Sequence, residues 1–276
     1  MDMEEFKINC YVLFTEIVVF FAFGTFGNLN VICATYRKSS LQNKSGLLLV
    51  LSCTFQQIAL SFELVNATSA LLTASGIEIT RRQCYNIQVL FIFSICHQAG
   101  LNLALSFDLL LAIVAPIKYR TWPVFPYIAL ITLPSFIYSA SITAWGFMLR
   151  DDQIVSFCNV ALMLSPTVSK RWTQSSIAIS SLVVVMYAVI LALIKMRQRK
   201  RQGIEKETSR VLTRVTALLV VYVISYFAAV FGINMALYLG SSFASSPVER
   251  STAVTPEPYQ FYPKAPRPNI RPNFSP

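Results

Sequence analysis

Hydrophobic and polar positions along the chain fall in blocks. Apolar runs at about 12–35, 46–72, 86–112, 124–149, 174–196 and 212–239 are joined by short polar connections, except for a longer one at 150–173. A helix needs about 20 apolar residues to cross the hydrocarbon of a bilayer, whereas a barrel strand needs only about 10. These runs predict six transmembrane helices, an all-α membrane bundle occupying residues 1–240. Pro123 and Pro126 mark the entry to the fourth run, where a missing N–H costs a helix nothing. From residue 241 the pattern changes. The segment 241–276 holds eight of the thirteen prolines and has no apolar period, so it is expected to be a disordered Pro/Ser-rich tail with polyproline character.

Composition agrees with a lipid environment. Of 276 residues 55% are hydrophobic and 13% charged, about half the usual charged share of a soluble domain, and mean hydropathy is +0.56. So much apolar surface exceeds what a soluble fold of this length hides. The net charge of +10 would suggest nucleic acid in a soluble protein. Here it lies between the apolar runs, so it bears on membrane orientation, and no nucleic-acid partner is expected. The connections after the first, third and fifth runs carry twelve Lys and Arg residues, including Arg37, Lys44, Lys118, Arg120 and a dense group at 195–210, against six on the other side. Positive charge marks the cytoplasmic side, which puts the N-terminus outside. The first residues, MDMEEFKINC, are acidic rather than basic. The first run therefore reads as a retained span rather than a cleaved signal.

Few residues suggest chemistry. No phosphate-binding glycine loop, nucleophile elbow or HExxH motif occurs, so the sequence offers no basis for an enzyme. His97 is the one histidine. A metal site needs several ligands at set spacings, so His97 reads as a hydrogen-bonded structural residue, and no metal or cofactor is expected. Asn28, Glu16 and Glu63 are polar residues within or near spans, and intramembrane acids are candidates for function. Both glutamates also lie within reach of the headgroups. Asp108, near the end of the third run in SFDLLLAIVAPIKYR, reads either as an interfacial helix-end acid or as part of a functional motif.

The motif reading rests on spacing. Asp108, Ala112, Ile113, Pro116 and Tyr119 resemble the inner end of the third helix in rhodopsin-like G-protein-coupled receptors. Cys84 stands where that family places its outer helix-three cysteine, and Gly27–Asn28 matches the glycine-asparagine pair of its first helix. Tyr222 to Ala228, YVISYFA, aligns with the aromatic stretch of its sixth helix, with Ser225, Tyr226 and Ala228 substituted. Tyr187 corresponds to the inner tyrosine of helix five. The resemblance covers nearly all of residues 10–240. FGNLNVICATYRKSSLQNKSGLLL and DLLLAIVAPIKYR look most like nematode serpentine chemoreceptors of the Srsx class.

This resemblance implies a plasma-membrane chemosensory receptor with a small-molecule ligand, as in olfaction, and a heterotrimeric G protein as partner; a sensory cilium is the implied site. The ligand would sit in the outer half near Phe91, Ile92, Ile95 and Tyr226. Coupling would use the inner ends of helices three, five and six, with Asp108, Leu109, Leu110, Pro116, Tyr119 and Tyr187 in switch positions. The basic connection 195–210 serves topology in either case and, in the family, G-protein docking. The resemblance also implies a Cys84–Cys158 disulfide; the outer face is oxidising, and two free thiols or Cys10 as a competing partner are the alternatives. Asn28 would bond helices two and seven.

Departures from the pattern are specific. Leu109 replaces the family's arginine and Leu110 its usual aromatic. The second-helix aspartate is replaced by polar groups among Thr54, Gln56 and Gln57. No seventh apolar run follows Gly240. A truncated or mis-spliced receptor that does not signal is the alternative reading, and a transporter or channel a further one; the paired intramembrane charges and repeats usual in transporters are not evident.

Overall fold

The computed structural model describes residues 3–155 and 158–200. Its long helices are α1 (Met3–Arg37), α2 (Lys44–Ala74), α3 (Arg81–Val114), α5 (Val124–Met148) and α7 (Pro166–Lys200). Two short helices, α4 (Pro116–Thr121) and α6 (Val160–Met163), and one 3-10 turn, Ser39–Leu41, lie in the connections. Among the described residues five helices are long and apolar enough to cross a membrane. The sixth run, 212–239, and the tail from 241 lie outside the described residues.

Local sequence explains where helices begin. Asn43 caps α2 by accepting from the Gly46 N–H at 2.9 Å. The turn before it presses on Gly46, where a Cβ would come 1.8 Å from the Leu41 carbonyl oxygen. Thr80 and Gln83 form a reciprocal capping box at the start of α3, which satisfies two helix-end donors at once. Pro116 opens α4 at its first turn. The fifth span starts earlier than its apolar run suggests: α7 begins at Pro166, and Lys170, Arg171 and Trp172 lie in its first turns. Those charges mask the helix from a hydropathy reading, while Trp172 packs on the core.

The core sits around α3. More than half of its most apolar window, 56%, is buried in the bundle, against 6% for α1. It packs against α2, α5 and α7. Large apolar side chains such as Phe20, Phe23, Phe26, Phe125 and Leu130 point outward, as a lipid-facing surface requires. Small residues let the helices approach: a Cβ on Gly100 of α3 would meet Ser135 Oγ of α5 at 2.4 Å, the close contact typical of membrane helix pairs.

The long connection between α5 and α7 folds back over one end of α3. Ile154–Val155 (β2) pairs antiparallel with Ile79–Thr80 (β1) just before α3. The Arg81 and Arg82 N–H groups donate to the carbonyls of Gln153 and Asp151, and the Arg81 and Arg82 side chains pair with Asp151 and Asp152. This two-residue pair, absent from a hydropathy reading, positions Cys158.

Candidate functional site

Polar residues concentrate at the two ends of α3. At the end where α3 passes into α4, Asp108 is 1% exposed. Its carboxylate accepts hydrogen bonds from Tyr127 Oη of α5 at 2.8 Å and from Ser45 Oγ of α2 at 2.5 Å. The Ser45 and Tyr119 hydroxyls lie 3.2 Å apart. Lys44, buried beside Ser45, donates from Nζ to the Tyr119 carbonyl. Its ammonium also lies 4.5 Å from the Tyr119 ring centre and 5.1 Å from that of Tyr127. The two rings meet edge to face at 5.7 Å, and Trp122 packs against Tyr127 at the same distance. One carboxylate therefore gathers α2, α3, α4 and α5.

Two features give this cluster its stability. Hydrogen bonds to a charged acceptor are worth about 1.5–3 kcal/mol, more than neutral ones, and a cation over an aromatic face adds attraction when desolvated. Burial pushes the Tyr119 phenol up to about 12; the Ser45 hydrogen bond opposes the shift and the nearby Asp108 charge adds to it. The phenol is therefore neutral at physiological pH. Asp108 is thus a helix-end acid enclosed by hydroxyls.

Leu109 and Leu110, one and two positions on, have a different environment. Together with Leu103 and Ile113 they pack against the apolar strip Val183, Tyr187 and Ile190 of α7. Pro116 begins α4 and is exposed.

At the other end of α3, Cys84 is joined to Cys158, with Cα atoms 5.6 Å apart, within the range that a disulfide requires. Cys10, Cys33, Cys53 and Cys96 are free thiols. Beneath the tethered connection lies an apolar cluster containing Tyr85, Phe91, Ile92, Cys96, Ile142, Val155, Met163 and Val168. Tyr85 Oη donates to the Thr143 carbonyl of α5. Phe91 and Ile92 are buried inside this cluster and Ile95 packs against it; Tyr226 lies outside the described residues. Gln88 is fully buried on the same face of α3, one turn from Cys84 and from Ile92, and among the described residues neither its Nε2 nor its Oε1 has a hydrogen-bond partner.

Mid-span, Asn28 Nδ2 of α1 donates to Gln57 Oε1 of α2 at 3.5 Å, and Gln57 Nε2 donates to Thr25 Oγ1 at 2.9 Å. Glu63 accepts from Asn66 Nδ2 at 3.1 Å, while Glu16 is exposed. His97 is buried between Phe55, Phe93 and Phe136, with Nδ1 2.9 Å from Ser135 Oγ. Among the described residues no group of three or more His, Cys, Asp or Glu side chains is placed to hold a metal.

The family model for the serpentine type 7TM GPCR chemoreceptor Srsx matches residues 21–253. The chain belongs to this family. It is a multi-pass membrane protein of a receptor class, and the matched region takes in the sixth apolar run and continues past Gly240. A comparison with curated proteins gives no match.

Within this Srsx chain, several partners of the motif residues escape a sequence reading. Lys44, Ser45 and Tyr127 carry the Asp108 cluster, yet all three are remote from Asp108 in sequence. The only signal for Lys44 and Ser45 is their place at the helix start opposite the Asp108 end of α3. Gln57 could be singled out from the Thr54–Gln57 group only through its pairing with Asn28. Gln88 carried a clear signal, a polar side chain inside an apolar run one turn after Cys84.

Proposed function

We propose that this Srsx receptor binds a small molecule at the disulfide end of the bundle and signals from the Asp108 end to a heterotrimeric G protein. The family match over residues 21–253 carries this reading. In it the disulfide end faces outside and the basic connections face the cytoplasm, in keeping with their Lys and Arg excess. The ligand engages the neighbourhood of Phe91, Ile92, Ile95 and Tyr226. Gln88 supports this placement. A buried amide with both donor and acceptor unmet costs about 1–3 kcal/mol per group, and a ligand with a complementary donor-acceptor pair removes that cost. Asp108, Leu109, Leu110, Pro116, Tyr119 and Tyr187 form the coupling region. Ligand binding shifts the population toward an arrangement that the G protein recognises, which requires different ligand affinities for the two arrangements.

Leu109 gives the coupling region a specific character. Where the arginine of the wider receptor superfamily would stand, an apolar side chain packs toward α7. The resting state is then held at Asp108 by the hydroxyls of Tyr127 and Ser45 rather than through a neighbouring cation. Co-expression of the full chain with a panel of G proteins, challenged with a library of small organic molecules, tests the proposal. Ligand-dependent G-protein activation that Gln88→Leu abolishes is the expected outcome. Ligand-dependent ion flux without any G protein, or surface-expressed receptor silent to every ligand and G protein, counts against it.

A further inference from the structure

We propose that the face formed by α3, α5 and α7 carries a binding site for an anionic phospholipid, one acyl chain lying between the helices and the phosphate meeting Lys118 and Arg120. The site begins with a cavity of about 540 Å³ between these three helices, a volume within the about 300–1,000 Å³ range of small-molecule sites. On α3 it runs from Gly100 to Leu111, and across from it lie Leu130 of α5 and Leu182 of α7. Phe107, Leu130 and Leu182 on its rim are exposed, so in a membrane-spanning chain it opens to hydrocarbon.

The chemistry of the lining selects the occupant. Three hydroxyls border the cavity, and each already has a partner: Tyr127 Oη on Asp108, Ser135 Oγ on His97 and Tyr138 Oη with Ser175. The hydroxyl hydrogens are already committed and the remaining lining side chains are apolar, so the lining favours an apolar occupant. At one mouth of the cavity stands Trp122, an aromatic side chain suited to the membrane–water interface. Lys118 and Arg120 precede it by four and two residues and are exposed. Among the described residues neither has an ion pair or a hydrogen-bonded side chain. An apolar slot bordered by Trp122, with the exposed cations Lys118 and Arg120 on the adjoining α4, matches a molecule with a hydrocarbon chain and an anionic head. Basic residues at a membrane surface attract anionic lipid.

The site touches the Asp108 cluster directly. Tyr127 lines the cavity with its ring and holds Asp108 with its hydroxyl. A chain seated there packs against Tyr127, so the lipid stabilises the same arrangement that Ser45 and Lys44 do.

Trp122 supplies the test. The chain has three tryptophans, Trp122, Trp145 and Trp172. The full chain with Trp145→Phe and Trp172→Phe is placed in nanodiscs of phosphatidylcholine containing a small fraction of either acyl-brominated phosphatidylserine or acyl-brominated phosphatidylcholine. Nanodiscs present both leaflets, so the result does not depend on membrane orientation. The local excess of the anionic lipid over the zwitterionic one, read from quenching of Trp122, is expected to be several-fold, up to about thirty-fold for two basic side chains. It is expected to disappear in Lys118→Gln/Arg120→Gln and to persist in Lys118→Arg. Equal quenching by the two lipids, or an excess that the charge-removing pair leaves intact, overturns the proposal. Thermal stability of the unmodified receptor gives a second reading. Added phosphatidylserine raises its melting temperature but leaves that of Lys118→Gln/Arg120→Gln unchanged, because only a lipid bound by the folded state shifts the equilibrium. An identical rise in both proteins overturns the headgroup assignment.

Discussion

The two ends of α3 are tied down by different means. At one end a covalent bond between Cys84 and Cys158 fastens a long connection, and the space beneath is filled with apolar side chains. At the other end no covalent link joins the elements, and one buried carboxylate collects hydroxyls from α2 and α5 beside a lysine and two tyrosine rings. A disulfide acts chiefly by restricting the unfolded chain and does not depend on the exact packing around it. A buried carboxylate acts only while every partner stays in place. The first arrangement keeps one end closed whatever moves beside it. The second suits an end whose geometry changes when a single hydrogen bond breaks.

The largest expected effect lies at the covalent end. Cys84→Ser is expected to lower stability by about 2–4 kcal/mol and to reduce surface expression strongly, measured by thermal denaturation in detergent and by surface labelling of a tagged receptor. Cys158→Ser should match it, and the double variant should be no worse than either one. A double variant that loses the sum of the two single effects would mean that the cysteines act separately.

At the carboxylate end Asp108→Ala leaves the Tyr127 hydroxyl without its acceptor and the Ser45 hydroxyl with Tyr119 only. A loss of about 2–3 kcal/mol is expected, together with altered basal signalling, whereas the Cys84 variants lose surface receptor without that change. A double-mutant cycle of Ser45→Ala and Tyr127→Phe is expected to show coupling, because the two hydroxyls share one acceptor. Additive effects would separate them and dissolve the cluster as a unit.

Gln88 turns the comparison around. At the carboxylate end, replacing a polar group by an apolar one destabilises. At the disulfide end Gln88→Leu removes two polar atoms that have no partner among the described residues and is expected to raise stability by about 1–2 kcal/mol while abolishing the ligand response. A destabilised Gln88→Leu would show that the amide has a structural partner in the membrane.

How much of this was legible in the sequence follows from the range of each interaction. Helix existence follows from runs of apolar residues, a local property, so α2, α3 and α5 were plain, while α1 reaches back to Met3, nine residues before the run at 12. The start of α7 was not, because Lys170 and Arg171 interrupt the run while Trp172 still packs inward. Cys84, Cys158, Asp108 and Asn28 were visible as rare residue types at recognisable spacings. Ser45, Lys44 and Tyr127 were not, because their relation to Asp108 depends on how three helices meet. Leu109 was visible as a departure, but its consequence, an apolar seam against Val183, Tyr187 and Ile190, needed the packing of α3 on α7. The cavity beside Tyr127 had no sequence signal at all, since an absence of atoms between helices leaves no pattern along a chain.

Alkaline titration reaches the carboxylate end through Tyr119 and gives the smallest effect. Its folded-state pKa, pushed up to about 12 by burial, lies above the value of about 10 expected for an unfolded tyrosine. Between those values the folded state holds the proton while the unfolded state releases it. The contribution to stability is therefore complete below pH about 10 and is lost as the pH climbs toward about 12. Tyr119→Phe removes this titration but keeps the ring that faces Tyr127 and Lys44. The difference in melting temperature between wild type and Tyr119→Phe is expected to be flat from pH 7 to pH 10 and to shift against the wild type above it. The same measurement on Cys84→Ser/Cys158→Ser, which adds no titrating thiol, should keep the wild-type slope at a lower stability, because the disulfide end does not touch Tyr119. A Tyr119→Phe curve parallel to the wild type throughout would mean that this phenol is not held in its neutral form by the fold, and the carboxylate end would then owe its order to Asp108, Tyr127 and Ser45 alone.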